Sequence, residues 1–155
     1  MEIKELLLPD AVRIDLKVTS KKQALQELAK TAQALTGANE REILNVLIER
    51  ERLGTTGVGQ GVAIPHGKLD AIGQLCAAFA RLESPINFDS IDGEFVDLIF
   101  LLLAPLSPEH VHLKALAKIS RLLRSKSMCE KLRGSTSADA IYALLVSPTE
   151  DDNDA

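Results

Sequence analysis

The chain has 155 residues, 46% of them apolar, which is enough to bury the core of one globular domain. Its formal charge of -4 comes from the last seven residues, TEDDNDA, which carry four acids, while the other 18 acids balance 18 bases. A neutral body with 3% aromatic residues and no Trp argues against a general nucleic-acid binder.

The sequence pattern also argues against membrane insertion and secretion. The longest apolar run, residues 98–104, is far shorter than the roughly 20 residues of a membrane-spanning helix. The first residues, MEIKE, lack the basic segment of a signal peptide. We therefore expect a cytoplasmic protein with one domain over residues 1–148 and a disordered acidic tail over residues 149–155.

The first part of the chain predicts an edge strand and two helices. Residues 12–16, VRIDL, are typical of a strand. Ser20 and Asn39 each precede a helical pattern with Gln or Glu three residues on, and the two patterns end at Gly37 and Gly54. The side chains expected to face inward are Ala24, Leu25, Leu28, Ala32 and Leu35 in the first helix and Ile43, Val46 and Leu47 in the second.

A glycine-rich segment separates these helices from the predicted strands. Residues 54–61, GTTGVGQG, predict a loop that leads into a short strand, VAI. Because Pro65 cannot donate to a sheet, we expect His66 to lie beyond regular structure and to face a cleft or solvent. A buried strand, a turn region and a central strand apolar on both faces are predicted next, over residues 75–82, 84–94 and 95–104.

Three helices complete the predicted α/β domain. Ser107 is the expected cap of the first, with Pro108 in its first turn. A short helix is predicted over residues 127–134, and Ser137 is the expected cap of the last helix. Helices that alternate with apolar strands predict a layered α/β fold.

Several familiar motifs fail on inspection. In GVGQG, Gly61 comes one position early for a dinucleotide-binding fingerprint, and the Gly-Lys pair at residues 67–68 is followed by Leu instead of the Ser or Thr of a P-loop. No GxSxG or HExxH sequence is present. Cys76 and Cys129 form no CxxC pair, and we expect both to pack as small apolar residues without a disulfide.

On a helical wheel, the other two histidines fall on different faces of the predicted helix. His112 shares the face of three apolar residues: Leu116, Ile119 and Leu123. His110 falls about 160° away on the solvent face, so no metal site is predicted from the pair. For His112 two interpretations stand: a core histidine with a backbone partner, or a side chain at a helix start that helps to hold an anion.

The basic side chains also allow two interpretations. Arg50 is either a solvated charge at a helix end or a guanidinium that offers planar N–H donors to a phosphoryl group near His66. A run of later bases is either a solvated face or a surface for an acidic partner; its members are Lys114, Lys118, Arg121, Arg124, Lys126, Lys131 and Arg133.

The segments IERERLGTTGVGQGVAIPHGKLD and PEHVHLKALAKI resemble the fructose/mannitol-type enzyme IIA domains of the bacterial phosphoenolpyruvate-dependent phosphotransferase system. The likeness spans residues 5–146 and is greatest for the stand-alone nitrogen-regulatory members of this family. It implies that His66, in AIPHG, is the phosphoacceptor. It also implies that Arg50 and His112 are the active-site arginine and second histidine, whereas His110 has no counterpart.

The resemblance implies a single three-layer α/β/α domain with a mixed central sheet, flanked by helices. It implies a protein-histidine phosphotransferase component that takes its phosphoryl group from a phosphorylated HPr-type carrier without any cofactor. Regulation of nitrogen- or potassium-linked targets, such as kinases or transporters, would follow the phosphorylation state.

Supporting roles are expected for residues beside His66. Thr56 and Gly57, in the glycine loop, are expected to bind phosphate, and Gly67 is expected to leave room for a partner's histidine. Two other functions stay open. One is a sugar-uptake IIA component that passes phosphate to a separate IIB protein, and the other is a non-covalent anion- or partner-binding module of the same fold.

Overall fold

The apolar segments pair into a mixed sheet of six strands in a computed structural model that describes residues 1–147. The strands are β1 (Leu7–Leu16), β2 (Gly57–Gly59), β3 (Val62–Ala63), β4 (His66–Lys68), β5 (Cys76–Ile86) and β6 (Val96–Ala104). Their order is β1-β5-β6-β3-β2, and β4 also pairs with β6. The predicted edge position of β1 is confirmed, whereas the predicted acidic tail lies outside the described residues.

Strand directions alternate between parallel and antiparallel pairs. Strand β1 runs parallel to β5, and both β3 and β4 run parallel to β6. The β5–β6 and β2–β3 pairs are antiparallel. The mixed central sheet expected from the sequence is therefore confirmed.

Within residues 1–147 the helices are α1 (Ile3–Leu6), α2 (Lys21–Thr36), α3 (Glu40–Arg52), α4 (Glu109–Arg124), α5 (Lys126–Gly134) and α6 (Ala138–Val146). Helices α2 and α3 pack on each other and against β5 and β4, whereas α4 and α6 pack against β6 and β1. Successive strand residues point to opposite faces, and in β4 Gly67 faces α3 while His66 faces α4. The helices thus form layers on both faces, as the α/β/α prediction requires. No helix within residues 1–147 has the length and apolar content to cross a bilayer.

The core is built on β6, the central strand. Residues 98–104 are at most 1% exposed, which confirms that this strand is apolar on both faces. Phe79 on β5 meets Phe100 on β6 edge to face, with ring centroids 6.0 Å apart. Cys76 and Cys129 are both free and buried, as expected.

The capping residues predicted from the sequence mark the starts of three helices. The side chains of Ser20, Asn39 and Ser137 accept hydrogen bonds from backbone N–H groups three residues on, at the starts of α2, α3 and α6. Gly37 ends α2 in the left-handed conformation, with φ of 77°. The predicted inward faces are confirmed as well: all their members are buried except Leu35 and Val46, which are half-buried.

The glycine loop contains regular structure that was not predicted. Gly57–Gly59 form the short strand β2, which pairs with β3. The hairpin closes at Gln60 and Gly61, whose φ angles of 58° and 81° are typical of a two-residue hairpin turn. The expectation of a loop throughout residues 54–61 was therefore wrong. The turn pairs β2 with β3, and both strands are too short to show the alternating sequence pattern by which a strand is predicted.

Other elements also differ from the predictions. The helix α1 was not predicted, since four residues show no periodicity. Strand β5 continues through Pro85 to Ile86, because its pairing with β1 ends at Leu82 and the proline no longer has to donate there. Helix α4 begins after Pro108, which is its N-cap, so Ser107 lies one residue too early to cap it.

Candidate active site

His66 lies on the sheet, not beyond it as predicted. Strand β3 pairs Ala63 with Ile99 of β6, and β4 pairs His66 with Leu102 in the same register, so β3 and β4 are one strand interrupted at Pro65. The interruption arises because Pro65 has no N–H, although its carbonyl still accepts from the Leu102 N–H at 3.0 Å. His66 is therefore fixed by strand pairing at the start of β4 and is half-buried.

The hydrogen bonds of the His66 ring define its tautomer. Nδ1 lies 2.8 Å from the carbonyl oxygen of Ile64, which can only accept, so Nδ1 carries the proton. Nε2 then has a lone pair in the neutral ring, and it accepts from the Nε–H of Arg50 at 3.3 Å. The ring thus presents Nε2 as its nucleophilic atom.

Arg50 reaches this nitrogen from the last turn of α3. Its Nη1 donates to the carbonyl oxygen of Gly54 at 2.8 Å, which orients the guanidinium over the start of the glycine loop. Of the two interpretations of Arg50, the structure favours the group beside His66 over a solvated helix-end charge. An anion carried on Nε2 would meet the planar donors of this guanidinium.

His112 approaches His66 from the first turn of α4. It is 6% exposed, and its ring centroid lies 5.8 Å from that of His66. Its Nδ1 is buried without a hydrogen-bond partner, so this atom does not make the backbone contact that a simple core histidine would make. The inward position of His112 and the exposed position of His110, both predicted from the helical wheel, are confirmed.

Both inner histidines are biased toward the neutral form. Burial is the main cause that lowers the pKa of His66; the hydrogen bond to Ile64 opposes it and the charge of Arg50 adds to it. Burial also lowers the pKa of His112, with further lowering by His66 and Lys68. A neutral imidazole is the form that can act as a nucleophile.

These shifts predict a pH dependence of stability. Because the folded-state pKa values lie below the ordinary 6.5, the unfolded chain binds more protons in the window between the folded values and about 6.5. We expect the free energy of unfolding to rise with pH through this window and to be insensitive to these histidines above it. Urea titrations across this range, with NMR titration of the ring protons, measure it; midpoints at or above 6.5 would contradict the prediction.

Thr56 and Gly57, the predicted phosphate-binding pair, have internal partners. The N–H of Thr56 donates to Glu51 Oε1 at 3.0 Å, and its hydroxyl donates to Glu51 Oε2. The N–H of Gly57 donates to the Thr55 hydroxyl at 3.0 Å. Both residues thus shape the glycine loop beside His66, and neither points a free donor at Nε2 in this structure.

Gly67 permits a close contact between strand β4 and helix α3. A Cβ at this position would lie 2.4 Å from Cγ1 of Val46, on α3. The glycine therefore allows α3 to pack closely on β4, and its expected role of leaving room for a partner's histidine stays a prediction. The sequence showed the glycine but not the helix above it.

The neighbours of the site include charged residues that the sequence analysis did not assign. Lys68, two residues after His66 and on the same face of β4, forms an ion pair with Glu109 in the first turn of α4. Glu51, next to Arg50, is 7% exposed and holds Thr56. Neither pairing produces a pattern along the sequence, because the partners lie on different elements. Within residues 1–147, no cluster of His, Cys, Asp or Glu could hold a metal ion.

Comparison with known proteins places this chain in a family. Residues 5–147 match the family described as "Phosphoenolpyruvate-dependent sugar phosphotransferase system, EIIA 2". The chain belongs to this EIIA family. The resemblance noted from the sequence is therefore confirmed, and the chain is a phosphotransferase-system component of the IIA class.

Individual relatives narrow the comparison. The chain is 57% identical over 148 residues to a nitrogen regulatory protein of Bradyrhizobium diazoefficiens, covering 96% of this chain and 97% of that one. The crystal structure of nitrogen regulatory protein IIA-Ntr from Neisseria meningitidis is similar, with a TM-score of 0.88 and 37% identity over 92% of this chain and 98% of that one. The IIA protein in the Escherichia coli complex of mannitol IIA and phosphorylated mannitol IIB shares the fold, with a TM-score of 0.75 and 21% identity over 90% and 98% of the chains.

Proposed function

We propose that this EIIA chain accepts a phosphoryl group on Nε2 of His66 from a phosphorylated HPr-type carrier. The observation that carries the proposal is the ring geometry: Nδ1 donates to Ile64, and Nε2 is directed at the Arg50 guanidinium. In this role the protein is a cytoplasmic phosphocarrier that needs no cofactor. Its similarity to nitrogen regulatory proteins over nearly the whole chain supports a regulatory output.

The transfer step follows from this geometry. As the Arg50 Nε–H moves from Nε2 to a phosphoryl oxygen, the freed lone pair of Nε2 attacks phosphorus in line. The N–P bond of the donor's phosphohistidine breaks, and its electron pair returns to the donor's imidazole. The Nδ1 proton stays on the His66 ring, where the Ile64 carbonyl stabilises the positive charge that develops. Phosphoryl transfer of this kind needs positioning and charge stabilisation, which Arg50 and His112 supply beside Nε2.

Thr56 and Gly57 enter this proposal through the loop that they shape. Their N–H and hydroxyl donors are already bonded to Glu51 and Thr55, so direct contact with phosphate requires these bonds to exchange. We assign the first contacts with the phosphoryl group to Arg50 and His112 because both lie beside the His66 ring; the Arg50 Nε–H passes from Nε2 to a phosphoryl oxygen as the new N–P bond forms. Regulation of targets such as nitrogen- or potassium-linked kinases and transporters would then depend on whether His66 carries phosphate.

Label transfer tests the proposal. A ³²P-phosphorylated HPr-type carrier is expected to label the wild-type chain and the His110→Ala variant at similar rates, because His110 is exposed and outside the site. His66→Ala is expected to take no label. Labelling of His66→Ala at the wild-type rate would overturn the assignment, and an unlabelled wild type of unchanged mass would favour a non-covalent binding module.

A second function, phosphate delivery to a IIB protein in sugar uptake, is favoured by one comparison. A mannitol IIA protein of the same fold forms a complex with phosphorylated mannitol IIB. Incubating the phosphorylated chain with purified IIB proteins distinguishes the two functions. Loss of label to a IIB acceptor at a catalytic rate would favour the sugar pathway, whereas retention of label is expected for the regulatory function.

A further inference from the structure

A buried carboxylate stands one residue after Arg50. The Glu51 side chain is 7% exposed and accepts hydrogen bonds from the N–H of Thr56 at 3.0 Å and from the Thr56 hydroxyl. The ammonium of Lys21, at the start of α2, lies 2.9 Å from Glu51 Oε1. A charge in such a place must be paired to be tolerated, and Glu51 has both an ion pair and two donors from one residue.

Thr56 links this carboxylate to the strand that carries His66. Thr56 is 3% exposed, and its carbonyl oxygen accepts from the Ile64 N–H at 3.0 Å. The Ile64 carbonyl in turn accepts from Nδ1 of His66 at 2.8 Å. A continuous set of contacts therefore runs from Glu51 through Thr56 and Ile64 to the imidazole.

We propose that Glu51 is a positioning residue for phosphoryl transfer, which fixes the ring orientation and tautomer of His66 through Thr56 and Ile64. Its carboxylate clamps Thr56 from one side, so that the Thr56 carbonyl holds Ile64 and the Ile64 carbonyl holds Nδ1. Nε2 then keeps its lone pair, which accepts from Arg50 in the resting protein and bonds to phosphorus during transfer. This inference rests on the proposed function, in which Nε2 of His66 is the nucleophile, and assigns to Glu51 the role of keeping that nitrogen unprotonated and correctly oriented.

The opposing explanation is that Glu51 only stabilises the fold. Lys21 contacts the buried ring of Phe88 at 4.8 Å as well as Glu51, so losing the carboxylate also disturbs packing between α2 and the loop after β5. A lowered melting temperature is expected from either explanation. The two differ in whether the His66 ring itself changes.

The test compares Glu51→Ala and Glu51→Gln with a matched control, Asp97→Ala. Asp97 is a half-buried acid that binds Arg133 through both carboxylate oxygens, with no contact to His66. The first readout is the ¹⁵N NMR signal of the His66 ring nitrogens in the unphosphorylated protein, at a pH where the ring is neutral. The second is kcat and KM for transfer from the phosphorylated carrier.

Glu51→Ala is expected to give a mixture of His66 tautomers and a kcat about 10–100-fold lower, with KM for the carrier unchanged because Glu51 is buried. Glu51→Gln keeps an acceptor for the Thr56 N–H, so it is expected to restore the single tautomer and most of kcat. Asp97→Ala is expected to lower the melting temperature while tautomer and kcat stay as in the wild type.

Several outcomes would overturn the inference. One is a Glu51→Ala variant with the wild-type tautomer and kcat. Another is an Asp97→Ala variant that loses as much kcat as Glu51→Ala for the same drop in melting temperature. If Glu51→Ala does not fold, Thr56→Val against Thr56→Ser applies the same readouts, since only the serine keeps the hydroxyl that binds Glu51. The NMR readout does not require the phosphorylated carrier. If the wild type accepts no phosphate, the proposed function is overturned, whereas the effect of Glu51 on the His66 tautomer is still measured.

Discussion

Replacing Arg50 with alanine is expected to lower the rate of phosphoryl transfer to His66 by about 10²–10³-fold, the usual effect of removing one preorganised donor from developing charge. The Arg50 Nε–H that now donates to Nε2 would donate to a phosphoryl oxygen once Nε2 is bonded to phosphorus. Arg50→Lys keeps the charge but loses the planar donors, so an intermediate rate is expected. Single-turnover transfer from the phosphorylated carrier measures both.

Arg52→Ala is the matched control for this prediction. Arg52 is exposed, lies in the same last turn of α3 and pairs with Glu49 on the surface. Its removal is expected to leave the transfer rate within about twofold of the wild type, since an exposed ion pair contributes little. Equal losses in Arg50→Ala and Arg52→Ala would mean that overall charge, not the guanidinium beside Nε2, governs the rate.

A methyl group at residue 67 is expected to destabilise the protein by about 1–3 kcal/mol, the usual cost of overpacking a closely packed site. In Gly67→Ala the new Cβ would lie 2.4 Å from Val46 Cγ1, so either the Val46 side chain must leave its rotamer or α3 and β4 must separate. Because β4 begins with His66, slower phosphoryl transfer is expected too. Chemical denaturation measures the stability.

Two further variants make the Gly67 prediction specific. Val46→Ala removes the clashing Cγ1 atom, so the double variant Val46→Ala with Gly67→Ala is expected to be more stable than additive single effects would allow. Gly73→Ala, where a Cβ meets nothing within 4 Å, is expected to leave stability almost unchanged. A stable Gly67→Ala, or additive single effects, would contradict the prediction, because it would show that the contact with Val46 accommodates the added methyl group.

Local patterns in the sequence predicted the features that depend on local contacts. The side chains of Ser20, Asn39 and Ser137 cap helices because capping involves residues three apart. The wheel placed His112 inward and His110 outward because both lie in the first turns of one amphipathic helix, α4. Arg50 and His66 are far apart along the sequence, but α3 and β4 bring their side chains into hydrogen-bond contact.

Features that depend on distant residues were missed or misjudged. Strand β4 exists because it continues the register of β3 along β6, and three residues cannot show that alone. Gly67 is small because of Val46, and Thr56 is held by Glu51, although neither neighbour forms a recognisable motif with it. Such contacts arise from the packing of separate elements, whereas sequence periodicity reports only one element at a time.

The most direct measurement of the central claim is NMR of the phosphorylated, ¹⁵N-labelled protein. One phosphorylated histidine is expected, His66, with coupling of ³¹P to Nε2 and a proton retained on Nδ1, next to the Ile64 carbonyl. A phosphoryl group on Nδ1 of His66, or on His112, would show that Nε2 of His66 is not the nucleophile.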